Sequence, residues 1–116
     1  MALVRFDRDE DHVVSGAYSA GTGPVLRSER IEVTKISFPT GKGAELHQHP
    51  EEQVMYVLSG RLKVTCDGDQ YEVGPGEATF NPSNSSHGVE AIEETVALSF
   101  KNLVDPTGYQ KTGDLA

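Results

Sequence analysis

With 116 residues and a formal net charge of −8, from 18 acidic against 10 basic side chains, the chain has room for one domain of the usual roughly 100–200 residues and none for a second catalytic unit. The averaged field repels phosphate backbones and anionic headgroups, so neither nucleic acid nor membrane is an expected partner, and no stretch approaches the ~18–20 apolar residues of a membrane helix. A lone cysteine, Cys66, excludes an internal disulfide, and Met1 to Phe6 lacks the apolar run of a signal peptide, which together point to a cytoplasmic protein.

Apolar residues recur with period two and almost never with period 3.6, which makes the class all-β. Residues 7–24 are acidic, then rich in Gly and Ser; they read as a loosely ordered or dimer-contacting end, with His12 a solvated side chain. Ile31 to Phe38 is a strand whose apolar phase changes between Val33 and Ile36, predicting a bulge. Pro39-Thr40-Gly41-Lys42-Gly43 is a turn, and His47 and His49 precede a strand over Gln53 to Leu58. Ser59-Gly60 reads as the next turn.

Arg61 to Cys66 alternates cleanly, with Leu62, Val64 and Cys66 on one face. Asp67-Gly68 then suits a type I′ hairpin turn into Gln70 to Val73. Gly74-Pro75-Gly76 and Asn81-Pro82-Ser83-Asn84 flank a strand at Ala78 to Phe80. Gly88 to Ile92 and Thr95 to Phe100 complete the strands, and residues 105–116 form a polar end. So many short strands need a small double-sheet β-barrel to bury their faces. The expected domain is 1–116, with its core over about 25–104. Phe38, Phe80 and Phe100 are assigned to that core, Cys66 to a buried inert thiol and Tyr56 to the outer face.

His47 and His49 stand at i and i+2, a spacing that shares one face of a strand, and His87 follows 40 residues after His47. Such a pair is a moderately specific metal signal. A polar surface loop from Glu45 to Gln53 is the other reading, and spacing alone leaves both open.

The surroundings carry more. From Gly41 the chain runs five residues to His47, one to His49, three to Gln53 and six to Gly60; Gly76 is followed after five residues by Pro82 and then His87. These segments resemble the two cupin motifs, with Gln53 in place of the first motif's glutamate. Asn84 stands for a glycine of the second motif, a mild change because Asn tolerates left-handed backbone, and Ala91 stands for its asparagine. The resemblance implies a jelly-roll barrel in which His47, His49, Gln53 and His87 hold one divalent metal ion (Ni, Mn, Fe or Zn). It also implies a homodimer and a small-molecule substrate.

His47 to Gln53, Tyr56 to Gly60 and His87 to Val89 are further similar to the small cupins that ketonise unsaturated uronates from pectin and alginate. That resemblance implies a non-redox lyase or isomerase acting on a small oxygenated acid or unsaturated sugar acid through a metal-stabilised enolate. A glutamine ligand is neutral, so the ion keeps its full charge as a Lewis acid and departs from the two-His-one-carboxylate set of non-haem iron oxygenases. A metal-dependent dioxygenase and a non-catalytic small-molecule-binding barrel are the alternatives. Ser99 falls near the place of an aspartate that the uronate group uses to move protons; with Lys101 and Arg61 it is a weak catalytic candidate. Arg27, Arg30, Arg61 and Lys101 are candidate carboxylate anchors.

Overall fold

The computed structural model describes residues 3, 6, 12–13 and 19–104. Among the described residues nine strands form in chain order: β1 (His12–Val13), β2 (Thr22–Gly23), β3 (Val25–Arg27), β4 (Ile31–Phe38), β5 (Gly43–His47), β6 (Gln53–Cys66), β7 (Asp69–Val73), β8 (Ala78–Asn81) and β9 (His87–Asn102). There is no helix among the described residues, and none long and apolar enough to cross a membrane.

The two longest strands, β6 and β9, pair antiparallel along nearly their whole length, from Gln53↔Lys101 to Cys66↔His87. Their free edges are shared out by halves. The Gln53 half of β6 takes β8 and the Cys66 half takes β7, while β9 takes β5 at its start and β4 at its end. The bent ribbon closes on itself, since Met55 and Val57 from one half of β6 and Leu62 and Val64 from the other share one core with Ile36, Phe38, Val73, Ala91 and Ala97. This is a small double-sheet β-barrel of the jelly-roll type.

The bend lies where a turn was expected. Ser59-Gly60 does not end a strand but interrupts the β6–β9 register. Gly60 has φ 90°, and a Cβ there would come within 2.3 Å of the Glu94 carbonyl oxygen. Fully buried Thr95 pins the bulge: its Oγ1 accepts from Arg61 N at 2.9 Å and lies 2.8 Å from the Glu93 carbonyl, to which it donates. The expected Asp67-Gly68 turn is found, with φ 49° and 87°, and Asn84 takes the left-handed φ of 62° that only a few side chains tolerate.

Two other expectations are corrected. β4 carries no bulge; its pairing with β9 is unbroken from Ile31↔Asn102 to Phe38↔Thr95. The apparent phase change arises because two inward residues, Glu32 and Thr34, are polar, each 1% exposed. Phe80 and Phe100 are not core: they are 50% and 40% exposed. They stand in a row across the outer face, Phe80–Val54–Phe100–Val33–Leu26, set by direct pairings. Phe38 is core and Tyr56 outward, as expected.

Residues 19–24 are ordered, with buried Ser19 bridging to Ala44 and Gly21 packed on Ile36. The rest of the expected loose N-terminal stretch, the His12 side chain and residues 105–116 lie outside the described residues.

The bend gives a stability test. Gly60→Ala combines left-handed strain with a backbone clash and is expected to cost about 2–5 kcal/mol. Gly68→Ala, where a Cβ meets nothing within 4 Å, carries strain alone, about 1–2 kcal/mol. Denaturant midpoints of the two variants measure the difference, and equal losses would contradict a bend that depends on close approach at Gly60.

Candidate metal centre

The inward rows of the barrel follow from register. Glu32, Lys101, Gln53 and Asn81 are directly paired across β4, β9, β6 and β8. Thr34, Ser99, Met55 and Thr79 form the next inward row. This end of the interior is polar, whereas the far end is aliphatic. The polar end receives the histidines.

His47 is the last residue of β5 and is paired with His87, the first residue of β9. His49 lies beyond β5, in the connection to β6, so the expected placement of both histidines on one strand face is corrected. A bend follows at Pro50 and Glu51, and the His49 ring centroid lies 5.4 Å from that of His47 and 4.7 Å from that of His87. One candidate nitrogen from each of His47, His49 and His87 lies within 4.8 Å of the others. His49 and His87 are 4% and 2% exposed.

Each imidazole is aimed by a main-chain carbonyl two residues away. Nδ1 of His47 faces the Glu45 carbonyl at 2.6 Å, that of His49 the Glu51 carbonyl at 3.0 Å, and that of His87 the Ser85 carbonyl at 3.0 Å. A carbonyl only accepts, so Nδ1 donates in all three rings and Nε2 carries the lone pair. His49 and His87 then set two Nε2 lone pairs 3.1 Å apart. That contact is repulsive unless a cation lies between them. Two nitrogens that each bind one ion at about 2.1 Å sit roughly 3.0–3.4 Å apart, so the spacing fits a shared divalent ion.

A proton is a poor substitute for that ion. Burial lowers His49 from its ordinary 6.5 to about 3, with further lowering from the positive Lys101 and from His87. Burial, then His47, brings His87 to about 4. His47 is lowered too, by burial first. The rings are therefore neutral at pH 7, the form that ligates metal.

Gln53 is 4% exposed, and with His47 and His87 it lines a cavity of about 20 Å³. Its Nε2 donates to Ser99 Oγ at 2.8 Å, which leaves Oε1 as the amide atom able to serve as a ligand. Glu51 is buried, but its carboxylate stands behind His49, 3.6 Å from Nδ1. Glu52 is exposed.

The remaining candidates disperse. Ser99 lines the cavity as Gln53's partner. Lys101 is 3% exposed; burial lowers it to about 8 against the opposing pull of Glu32 and Glu51. Arg27 is held by Glu32 at 3.0 Å and Arg30 is exposed. Arg61 is corrected: the structure does not bring it to the imidazoles, because it follows the Gly60 bulge on the outer face, where its Nε is 3.4 Å from Glu72. Asn81 and Ser85 were missed by sequence reasoning. Strand pairing opposite Gln53 locates Asn81, but that pairing is not written in either segment alone.

The comparisons agree with this architecture. Dimethylsulfoniopropionate lyase DddQ of Ruegeria pomeroyi is 27% identical over 74 residues, which cover 63% of this chain and 37% of that protein. The pectin degradation protein KdgF of Dickeya dadantii is 28% identical over 72 residues, 61% of this chain and 66% of that protein. The chain thus spans less than two thirds of either relative. The structure of KdgF from a Halomonas species superposes with a TM-score of 0.74 at 21% identity, covering 83% of this chain and 89% of that one; at that identity the likeness speaks for the fold. The cupin domain family matches residues 34–103, more than half of the chain, and the protein belongs to the cupins, with three histidines positioned for a metal ion.

Proposed function

We propose that the protein is a metal-dependent lyase or isomerase that acts without redox change on a small oxygenated organic acid, with an unsaturated sugar acid the favoured substrate. The donor set carries this reading. Three neutral imidazoles converge, no Asp, Glu or Cys joins them among the described residues, and the fourth inward group is the amide of Gln53. A divalent ion held by such a set keeps its full charge and supplies electrostatic stabilisation to negative charge developing on a substrate oxygen. The names of the two relatives, a lyase and a pectin degradation protein, support the same class.

In this proposal the residues divide the work. His47, His49 and His87 would hold the ion through Nε2, with Gln53 Oε1 as the fourth ligand. Ser99, engaged by the Gln53 amide, orients that ligand and is not the general base. Lys101 lies in the field of Glu32 and Glu51, so attraction of an anionic substrate falls to the ion. Ile36, Phe38 and Met55 line the other side of the cavity and keep water out. A cavity of about 20 Å³ seats one oxygen-sized group, and the rest of the substrate stays at the mouth.

Anaerobic assay of the metal-loaded protein on 4,5-unsaturated uronates tests the reaction class. Turnover at the aerobic rate is expected, and activity that required dioxygen would sink the proposal in favour of the dioxygenase reading. Metal titration tests the donor set: His49→Ala or His87→Ala is expected to weaken binding at least ~100-fold and Ser99→Ala roughly 10-fold, through loss of the amide's orientation.

The metal-free protein also has a pH signature. Because the folded-state His pKa values lie below the unfolded value of about 6.5, the unfolded chain takes up protons first as pH falls, and stability present above pH 6.5 is lost from there down to about 4 for His87 and about 3 for His49. Denaturant unfolding of the stripped protein at pH 7, 6 and 5 should show this decline. His49→Gln should shallow it, and an unchanged slope would contradict the neutral buried imidazoles.

A further inference from the structure

The metal reading leaves one interior residue without a task. Asn81 ends β8 opposite Gln53 and is 1% exposed. It lines the same cavity as His47, Gln53, His87 and Ser99. Its inward neighbours are satisfied: Thr79 pairs with the Tyr71 hydroxyl, and Gln53 with Ser99. Asn81 Oδ1 is buried, and no protein donor among the described residues reaches it.

Such a carbonyl has lost its water without compensation when left unmatched, and the great majority of buried polar atoms are matched. A leucine of similar shape would remove the cost. An acceptor on a residue that lines a ligand cavity is matched instead by the ligand, and the chemistry of the ligand follows from the sign. A carboxylate or ether oxygen offers no proton and would face Oδ1 unfavourably, whereas a hydroxyl supplies the missing donor. The cavity's volume, about 20 Å³, takes one such oxygen.

We propose that Asn81 is a specificity-determining residue: its buried Oδ1 accepts a hydrogen bond from a ligand hydroxyl seated beside His47, His87 and Gln53, selecting hydroxylated small acids over their deoxy counterparts. This rests on the reading of the cavity as the substrate site, and Asn81 itself is not a metal ligand. Sites built to hydrogen-bond a hydroxyl reject the analogue that lacks it far more strongly than apolar pockets do.

The test uses the metal-loaded protein with glycolate and acetate as probes and reads the ratio of their affinities by calorimetry. The wild-type protein is expected to prefer glycolate by about 10-fold or more, Asn81→Leu to lose about 10-fold of that preference, and Asn81→Asp, which keeps an acceptor, to retain it. Metal affinity should change by less than about 3-fold in Asn81→Leu. The metal-free Asn81→Leu protein should be at least as stable as wild type, an outcome a structural asparagine would not give. A wild-type ratio near one, an unchanged ratio in Asn81→Leu, a lost ratio in Asn81→Asp, or an Asn81→Leu protein that fails to fold each overturns the assignment of Asn81 and leaves the metal-site reading untouched. A wild-type protein that takes up no metal overturns the deeper reading, and this one with it.

Discussion

Everything in this barrel hangs on the register between β6 and β9. Because these two strands are paired for most of their length, the parity of one position decides the facing of every other. Once Val57 and Ala97 point inward, so do Gln53, Ser99 and Lys101 at one end and Leu62, Val64 and Ala91 at the other, after the irregularity at Gly60 resets the phase. A slip of one residue would turn the aliphatic core to solvent and the polar row with it. The same pairing therefore stabilises the fold and assembles the cavity, and the two cannot be separated by substituting a loop.

The strands themselves were legible, since alternation and turn residues act locally. Ile31 to Phe38, the Asp67-Gly68 hairpin and the left-handed Asn84 all follow from short-range sterics. What escaped was non-local. Ser59-Gly60 carries turn residues and yet lies inside a strand, because the glycine is needed for contact with Glu94 and Thr95 rather than for reversal. Phe80 and Phe100 were assigned to the core on hydrophobicity, whereas their parity is fixed by polar Asn81 and Lys101 taking the inward places. Buried Glu32 disguised a regular strand as a bulged one.

The histidine cluster was legible for a different reason: the motif spacing already encodes a solved folding problem. Periodicity alone left His47 and His49 as readily on a surface loop as at a metal, and the strand argument for their shared face fails in detail, since His49 is outside β5. They converge because β5 and β9 meet at His47 and His87 while the following connection folds His49 over them. Glu51, the nearest carboxylate in sequence, sits behind a ring rather than beside the ligand atoms. The polar group that shares the cavity with His47 and His87 is instead the neutral amide of Gln53, on the first residue of the strand that organises the barrel.

The aiming of the three rings by the carbonyls of residues 45, 51 and 85 has an evolutionary side. Every amino acid brings the same carbonyl, so substitution at these positions cannot delete the acceptor, and imidazole orientation is inherited with the path of the backbone. The amide of Gln53, the hydroxyl of Ser99 and the carboxamide of Asn81 enjoy no such protection, because each is one codon from a different chemistry. A lineage carrying this barrel can vary the polar lining of its cavity through those three side chains while the orientation of the imidazoles passes down unaltered.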